Sequence, residues 1–285
     1  LEAKDKAFSN KKTLLVKGNL MDLTYPKVMG IINATPDSFY DGGKNVDLSK
    51  AVGSVEKMMV EGADIIDIGG YSTKPNAAEV SQQEEMDRVL PLISILIEKF
   101  PSIVISIDTF RSEVAKQAVI AGASIVNDVS GGNLDEGMFE TVSHLQVPYI
   151  LMHMRGTPAT MQNLTEYDHL MKDVVYDLSE KILKLRSLQV SDIIVDPGFG
   201  FAKSLDQNYE MLKNLSYFKE LDCPVLVGVS RKSMIYKLLG GEAMQALNGT
   251  TALNMYSLIN GASILRVHDV KEAAETVKLF NKLKN

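Results

Sequence analysis

Eight short apolar runs along the chain each end in a polar or glycine-rich cluster. They are KVMGIINATPDSF, ADIIDIGGYST, IVISIDTFR, SIVNDVSGG, VPYILMHMRG, DIIVDPGFGF, PVLVGVSRKS and ASILRVHDV. Segments with helical spacing separate most of them, a pattern that predicts βα units and a parallel sheet. Eight such units predict an α/β fold closed as a (β/α)8 TIM barrel with a short N-terminal β-hairpin. An open doubly wound sheet also alternates strand and helix. Polar residues at nearly every strand end favour the closed barrel, whose active site is built from the loops after the strands.

Strands are expected from Lys27 to Asn33, Asp64 to Ile68, Val104 to Ile107, Ser124 to Asn127, Tyr149 to Met152, Ile193 to Val195, Val225 to Val229 and Ile264 to Val267. The stripe Leu48, Val52, Val55, Met58 and Met59 predicts a helix ended by Gly62. Ser81 and Glu84 have the spacing of a capping box for the next one. Further helices are expected near 112–121, 170–188 and 270–283. Two apolar runs around Lys17-Gly18-Asn19 read as a hairpin that plugs the barrel end opposite the active site.

Composition adds bounds. The 285 residues contain no linker or low-complexity tract, so residues 13–285 read as one barrel domain preceded by a tail, 1–12. A net charge of −6 argues against a general nucleic-acid or anionic-membrane binder. No apolar run approaches the roughly 20 residues that span a bilayer. The N-terminus lacks a signal-peptide core, and Cys223 is the only cysteine, so the expected compartment is the cytoplasm. Cys223 itself reads as a buried, inert thiol.

The chemistry sits at the strand ends. Asp67, Asp108, Asp128 and Asp196 end apolar strands, and a buried carboxylate needs a partner. Asp67 and Asp128 read equally well as caps accepting loop N–H groups. Asp108 and Asp196, with Asn127, suit a ligand edge rich in N–H donors. Arg266 and His268 point to one side of the last strand, and Ser230-Arg231-Lys232-Ser233 follows the seventh. Barrels bind phosphate there, where cations stabilise a leaving anion. Arg231 reads alternatively as a structural partner of a nearby carboxylate. Among the histidines, His144 and His169 read as structural or exposed, and His153 stays open. No cluster has zinc spacing; a hard cation on a diphosphate fits better. Phe201 is placed to stack on a flat ring or to pack. The polar loops 33–43 and 69–75 are long enough to close over a substrate.

At this point NATPDSFYDGG, SIDTFR, NDVSGG, MHMRGTPATMQ, DPGFGFAK, SRKS and RVHD, in this order, resemble the dihydropteroate synthase family from about Val28 to Val270. The resemblance implies condensation of 6-hydroxymethyl-7,8-dihydropterin diphosphate with 4-aminobenzoate, through an SN1-like displacement. It implies that Asp108, Asn127, Asp196 and Lys232 hold the pterin, in a slot formed by Met152, Phe201 and Gly228. Asn33 would ligate Mg²⁺, the expected cofactor, and Arg266 and His268 would bind the diphosphate. Phe39, Thr73, Pro75, Phe201, Lys232 and Ser233 would shape the aminobenzoate site. Asp37, Asp108, Lys232 and Arg266 would be catalytic. The resemblance also implies a homodimer through late barrel helices.

The second loop departs from the family. Tyr71, Lys74 and Asn76 stand where the family usually has Glu, Arg and Gly. Lysine does not reproduce a bidentate guanidinium contact, so altered affinity for aminobenzoate or sulfonamide analogues is expected. Two rival readings share the pterin carboxylates. A methyltransferase passing a folate methyl group to a corrinoid needs neither Arg266 with His268 nor the TPDSF loop. A pterin-sequestering protein need not keep Asn33, Lys232 and Arg266.

Overall fold

The computed structural model describes residues 11–34, 48–71 and 80–284. Its first element is an antiparallel hairpin, β1 (Thr13–Val16) and β2 (Asn19–Asp22), turning through Lys17 and Gly18 at φ +49° and +74°. Two successive positive φ angles define the tight hairpin turn that matches strand twist.

Eight parallel strands follow: β3 (Lys27–Asn33), β4 (Ile65–Gly69), β5 (Ile105–Asp108), β6 (Ile125–Asp128), β7 (Tyr149–Met152), β8 (Ile193–Asp196), β9 (Leu226–Val227) and β10 (Ile264–Val267). Their order, β8-β7-β6-β5-β4-β3-β10-β9, is that of a barrel. The ring closes where Val195 pairs with Val225 and its N–H donates to the Pro224 carbonyl at 2.9 Å. The strand expected from Val225 to Val229 is therefore shorter. After Val227 the chain turns, with Arg231 at φ +55° and Lys232 N–H donating to the Val229 carbonyl at 3.1 Å.

Helices cover the outside: α1 (Leu48–Glu61), α2 (Gln82–Lys99), α3 (Ser112–Ile120), α4 (Met138–Leu145), α5 (Leu170–Ser187), α6 (Leu205–Lys213), α7 (Ser233–Tyr236), α8 (Leu247–Ile259) and α9 (Val270–Lys284). The expected capping box is present at α2, where Ser81 Oγ accepts from Glu84 N and Glu84 Oε2 accepts from Ser81 N. A second box, Ser204 with Gln207, starts α6.

Strand alternation sorts the core into two sets. Ile66, Ile68, Ile107, Val126, Leu151, Val195 and Val227 face outwards into the large core shared with the helices. Met29, Ile65, Ile125, Ile150, Ile194, Leu226 and Ile264 pack together inside, against Leu14, Val16 and Leu23 of the hairpin region. The hairpin thus plugs the end of the barrel at which the strands begin.

Candidate active site

Two residues beyond that inner layer most strands turn polar or leave space, while β3 keeps Ile31 and β7 keeps Met152. Ile65 gives way to Asp67, Ser106 to Asp108, Ile125 to Asn127, Ile150 to Met152, Ile194 to Asp196, Leu226 to Gly228 and Ile264 to Arg266. A strand repeat of two puts each of these on the inner face, one layer nearer the C-terminal mouth. The pocket floor is thus a direct product of strand parity.

The cations and carboxylates there form one network. Arg266 Nε donates to Asp67 Oδ2 and Arg266 Nη2 to Asp108 Oδ2, both at 2.6 Å. Asn127 Nδ2 donates to the same Asp67 Oδ2 at 3.1 Å. Burial raises the Asp108 carboxyl to about 7, against the pull of Arg266 and with the push of Asp67. Burial works against the Arg266 cation, but Asp67 and Asp108 outweigh it and raise its pKa.

Asp196 accepts from Gly198 N–H at 2.8 Å, and burial raises its pKa despite the nearby Lys232. Lys232 donates to the Phe199 carbonyl and lies 4.6 Å from the Phe201 ring centroid. Burial lowers its ammonium to about 8. Phe201 packs with Met152, Val129, Met154 and Met161, which makes an apolar wall beside the carboxylates. Flat aromatic rings carrying polar edges fit between such a wall and such acceptors.

At the rim, Asn33 ends β3 exposed. Ser230 Oγ accepts from His268 N and meets His268 Nδ1, each at 3.1 Å. Partial burial and the Arg266 and Arg231 cations push His268 down to about 4. The imidazole is therefore neutral near pH 7. Arg231 clasps Asp269 with Nε and Nη2 at 2.9 and 2.5 Å, the structural pairing that its sequence context allowed. Ser233 opens α7 directly after Lys232.

Asp128 faces outwards instead. Its oxygens accept from Ser130 N, Gly132 N and Tyr149 OH at 2.7–2.8 Å, so it ties the following loop down. His153 is buried and lowered to about 2 by burial and by Lys203. Cys223 is buried and raised to about 11, as expected of an inert thiol. Asp37, Phe39, Thr73 and Pro75 lie outside the described residues, as do Lys74 and Asn76. Tyr71 is described: its ring meets Phe110 edge-on at 5.2 Å, with the Arg111 guanidinium 5.5 Å from its centroid.

The sequence reading undervalued two groups. Asp67 is fully buried at the centre of the network rather than capping a helix. Lys203, 6% exposed, reaches His153 Nδ1 at 3.0 Å and the carbonyls of Gly198 and Phe201 at 3.1 and 3.0 Å. Burial lowers it to about 7.

Fold and site together define a (β/α)8-barrel enzyme with an acceptor-rich pocket beside a cationic rim. The family model described as pterin binding enzyme matches residues 29–268. The dihydropteroate synthase of Escherichia coli (strain K12) is 41% identical over 268 residues, covering 93% of this chain and 94% of that protein. A Yersinia pestis dihydropteroate synthase solved with a sulfonamide drug complex superimposes with a TM-score of 0.89 at 40% identity, over 95% of this chain and 99% of that one. The Xanthomonas albilineans dihydropteroate synthase in complex with 7,8-dihydropteroate gives 0.85 at 36% identity, over 95% and 98%. The chain belongs to the pterin-binding enzymes and, among them, to the dihydropteroate synthase family.

Proposed function

We propose that this barrel joins 6-hydroxymethyl-7,8-dihydropterin diphosphate to 4-aminobenzoate, forming 7,8-dihydropteroate and diphosphate. One observation carries the reading: the 2.6 Å contact between Arg266 and Asp108. It puts the cation suited to a diphosphate one hydrogen bond from the carboxylate suited to a pterin. The methylene that links ring and diphosphate then falls between them.

Asp108 and Asp196 accept N–H groups from the pterin edge, Asn127 completes that edge, and Met152, Phe201 and Gly228 leave a flat slot. Arg266 and His268 take the diphosphate, and Lys232, Phe201 and Ser233 border the aminobenzoate. The C–O bond breaks with its electron pair leaving on the diphosphate. The methylene cation is spread over the ring and stabilised by the buried carboxylates. The arylamine lone pair then forms the C–N bond and the amine loses its proton to solvent. Asp37, Phe39, Thr73 and Pro75, which lie outside the described residues, are assigned to this site by resemblance.

The Asn33 amide is an exposed, hard oxygen donor at the pocket rim, which suits Mg²⁺. No group of three His, Cys, Asp or Glu able to hold a metal occurs among the described residues. Such an ion would take most ligands from diphosphate and water. When bound it supplies charge neutralisation of the leaving group. No helix among the described residues is long and apolar enough to cross a membrane; a cytoplasmic location is the reading that accords with the single cysteine. A homodimer through the α7–α8 face accords with the exposed Leu238, Leu239, Met244 and Ile259.

The test is product formation from both substrates with Mg²⁺. Dihydropteroate that needs both and falls by roughly 100-fold or more in Lys232→Ala and in Arg266→Ala supports the reading. Product formation that is indifferent to either change contradicts it.

A further inference from the structure

We infer that Asp67 is a positioning residue of the reaction, aiming Arg266 at the leaving group and Asn127 at the pterin. The inference rests on the proposed condensation. Asp67 is fully buried on β4, at the middle of the inner face, and touches neither rim nor solvent. One of its oxygens, Oδ2, takes both Arg266 Nε at 2.6 Å and Asn127 Nδ2 at 3.1 Å. These partners lie on β10 and β6, so a single atom joins the side of the pocket assigned to diphosphate with the side assigned to pterin.

The arrangement is a poor one if stability were its purpose. Asp67 Oδ1 is buried with no hydrogen-bond partner among the described residues. A bare buried carboxylate oxygen is costly. Nor does the Arg266 side fork close on one carboxylate. It splits between Asp67 and Asp108, whereas the Arg231 fork closes on Asp269 alone. A split fork lets Nη2 leave Asp108 while Nε stays anchored on Asp67. Arg266 then turns its outer N–H groups to an anion without losing its place, and Asp108 is freed for the ring. Asp67 never meets the substrate; it acts through its two partners.

Asp67→Asn keeps the shape and one acceptor but removes the charge. The expected result is a fall of about 10-fold or more in kcat/KM for the pterin diphosphate, with the KM for 4-aminobenzoate nearly unchanged. Product inhibition by inorganic diphosphate weakens in parallel. The charges acting on Asp108 are Arg266 from β10, in direct contact, Asp67 from β4, Lys232 beyond β9, and Glu85 and Asp128 from further off. Loss of the Asp67 charge therefore moves the acid limb of the pH profile to lower pH, a change that simple loosening would not produce. Combined with Arg266→Lys, the two effects are less than additive, because one acts through the other. Wild-type kcat/KM and acid limb in folded Asp67→Asn overturn the inference, as does full additivity. If Asp67→Asn does not fold, Asp67→Ser carries the same comparison, and loss of the fold in both makes Asp67 structural and overturns it. A wild-type protein that makes no dihydropteroate would instead sink the proposed function itself.

Discussion

At the scale of single residues, burial sets the protonation of the site. Asp108 at about 7 and Lys232 at about 8 both titrate close to neutrality. In the proposed site a pterin lacking the diphosphate needs Asp108 as a carboxylate, so its binding should weaken as pH falls through about 7. Arg266→Met removes the cation that holds Asp108 down, and this binding limb moves to higher pH. Fluorescence titration of the pterin against pH checks both. Lys203 gives a stability signal of known sign. Its folded pKa of about 7 lies below the ordinary lysine value of 10.5, so the unfolded chain binds more protons between those values. Stability from this group therefore rises from pH 7 towards pH 10. Urea unfolding across that range should show the rise in the wild type and a flatter curve in Lys203→Met; parallel curves contradict it. Much of this was within reach of the sequence. Asp67 follows inward-facing Ile65 by two, whereas Asp128 follows inward-facing Asn127 by one, and that parity separates floor from cap. The contact of Lys203 with His153 was not legible, because only the closed barrel brings residues 50 apart together.

At the scale of elements, local rules placed most boundaries. Tyr149–Met152 and Ile264–Val267 form as expected. The hairpin turn and the α2 capping box follow from Lys17-Gly18 and from Ser81 with Glu84. Ser81→Ala removes one cap acceptor and should cost about 1 kcal/mol, seen as a lower urea midpoint at unchanged slope. The seventh strand was misjudged because apolarity alone does not report a ladder. Val229 is apolar and buried, yet its carbonyl serves the turn that presents Lys232. Gly198, in the loop after β8, has φ +73°, and a Cβ there would sit 2.0 Å from the His153 carbonyl oxygen. Gly198→Ala should displace the loop that carries Phe201. Pterin affinity then drops while the far hairpin keeps its amide-exchange protection; an unchanged affinity contradicts this.

At the scale of the whole molecule, the fold separates stability from chemistry. The hairpin and inner apolar layer seal one end, and the polar layer opens at the other. Periodicity predicted that division, and the exposed Leu238, Leu239, Met244 and Ile259 are the ground for the dimer proposed above. Sedimentation should give twice the protomer mass, and Ile259→Glu should return it to one; a wild-type monomer contradicts the dimer. The central claim is that one pocket breaks the diphosphate bond and makes the C–N bond. The most direct measurement follows diphosphate release and dihydropteroate formation together, with Mg²⁺, with and without 4-aminobenzoate. The account predicts one dihydropteroate for each diphosphate when the arylamine is present, and loss of both in Arg266→Ala. Tight pterin binding with neither product would contradict it.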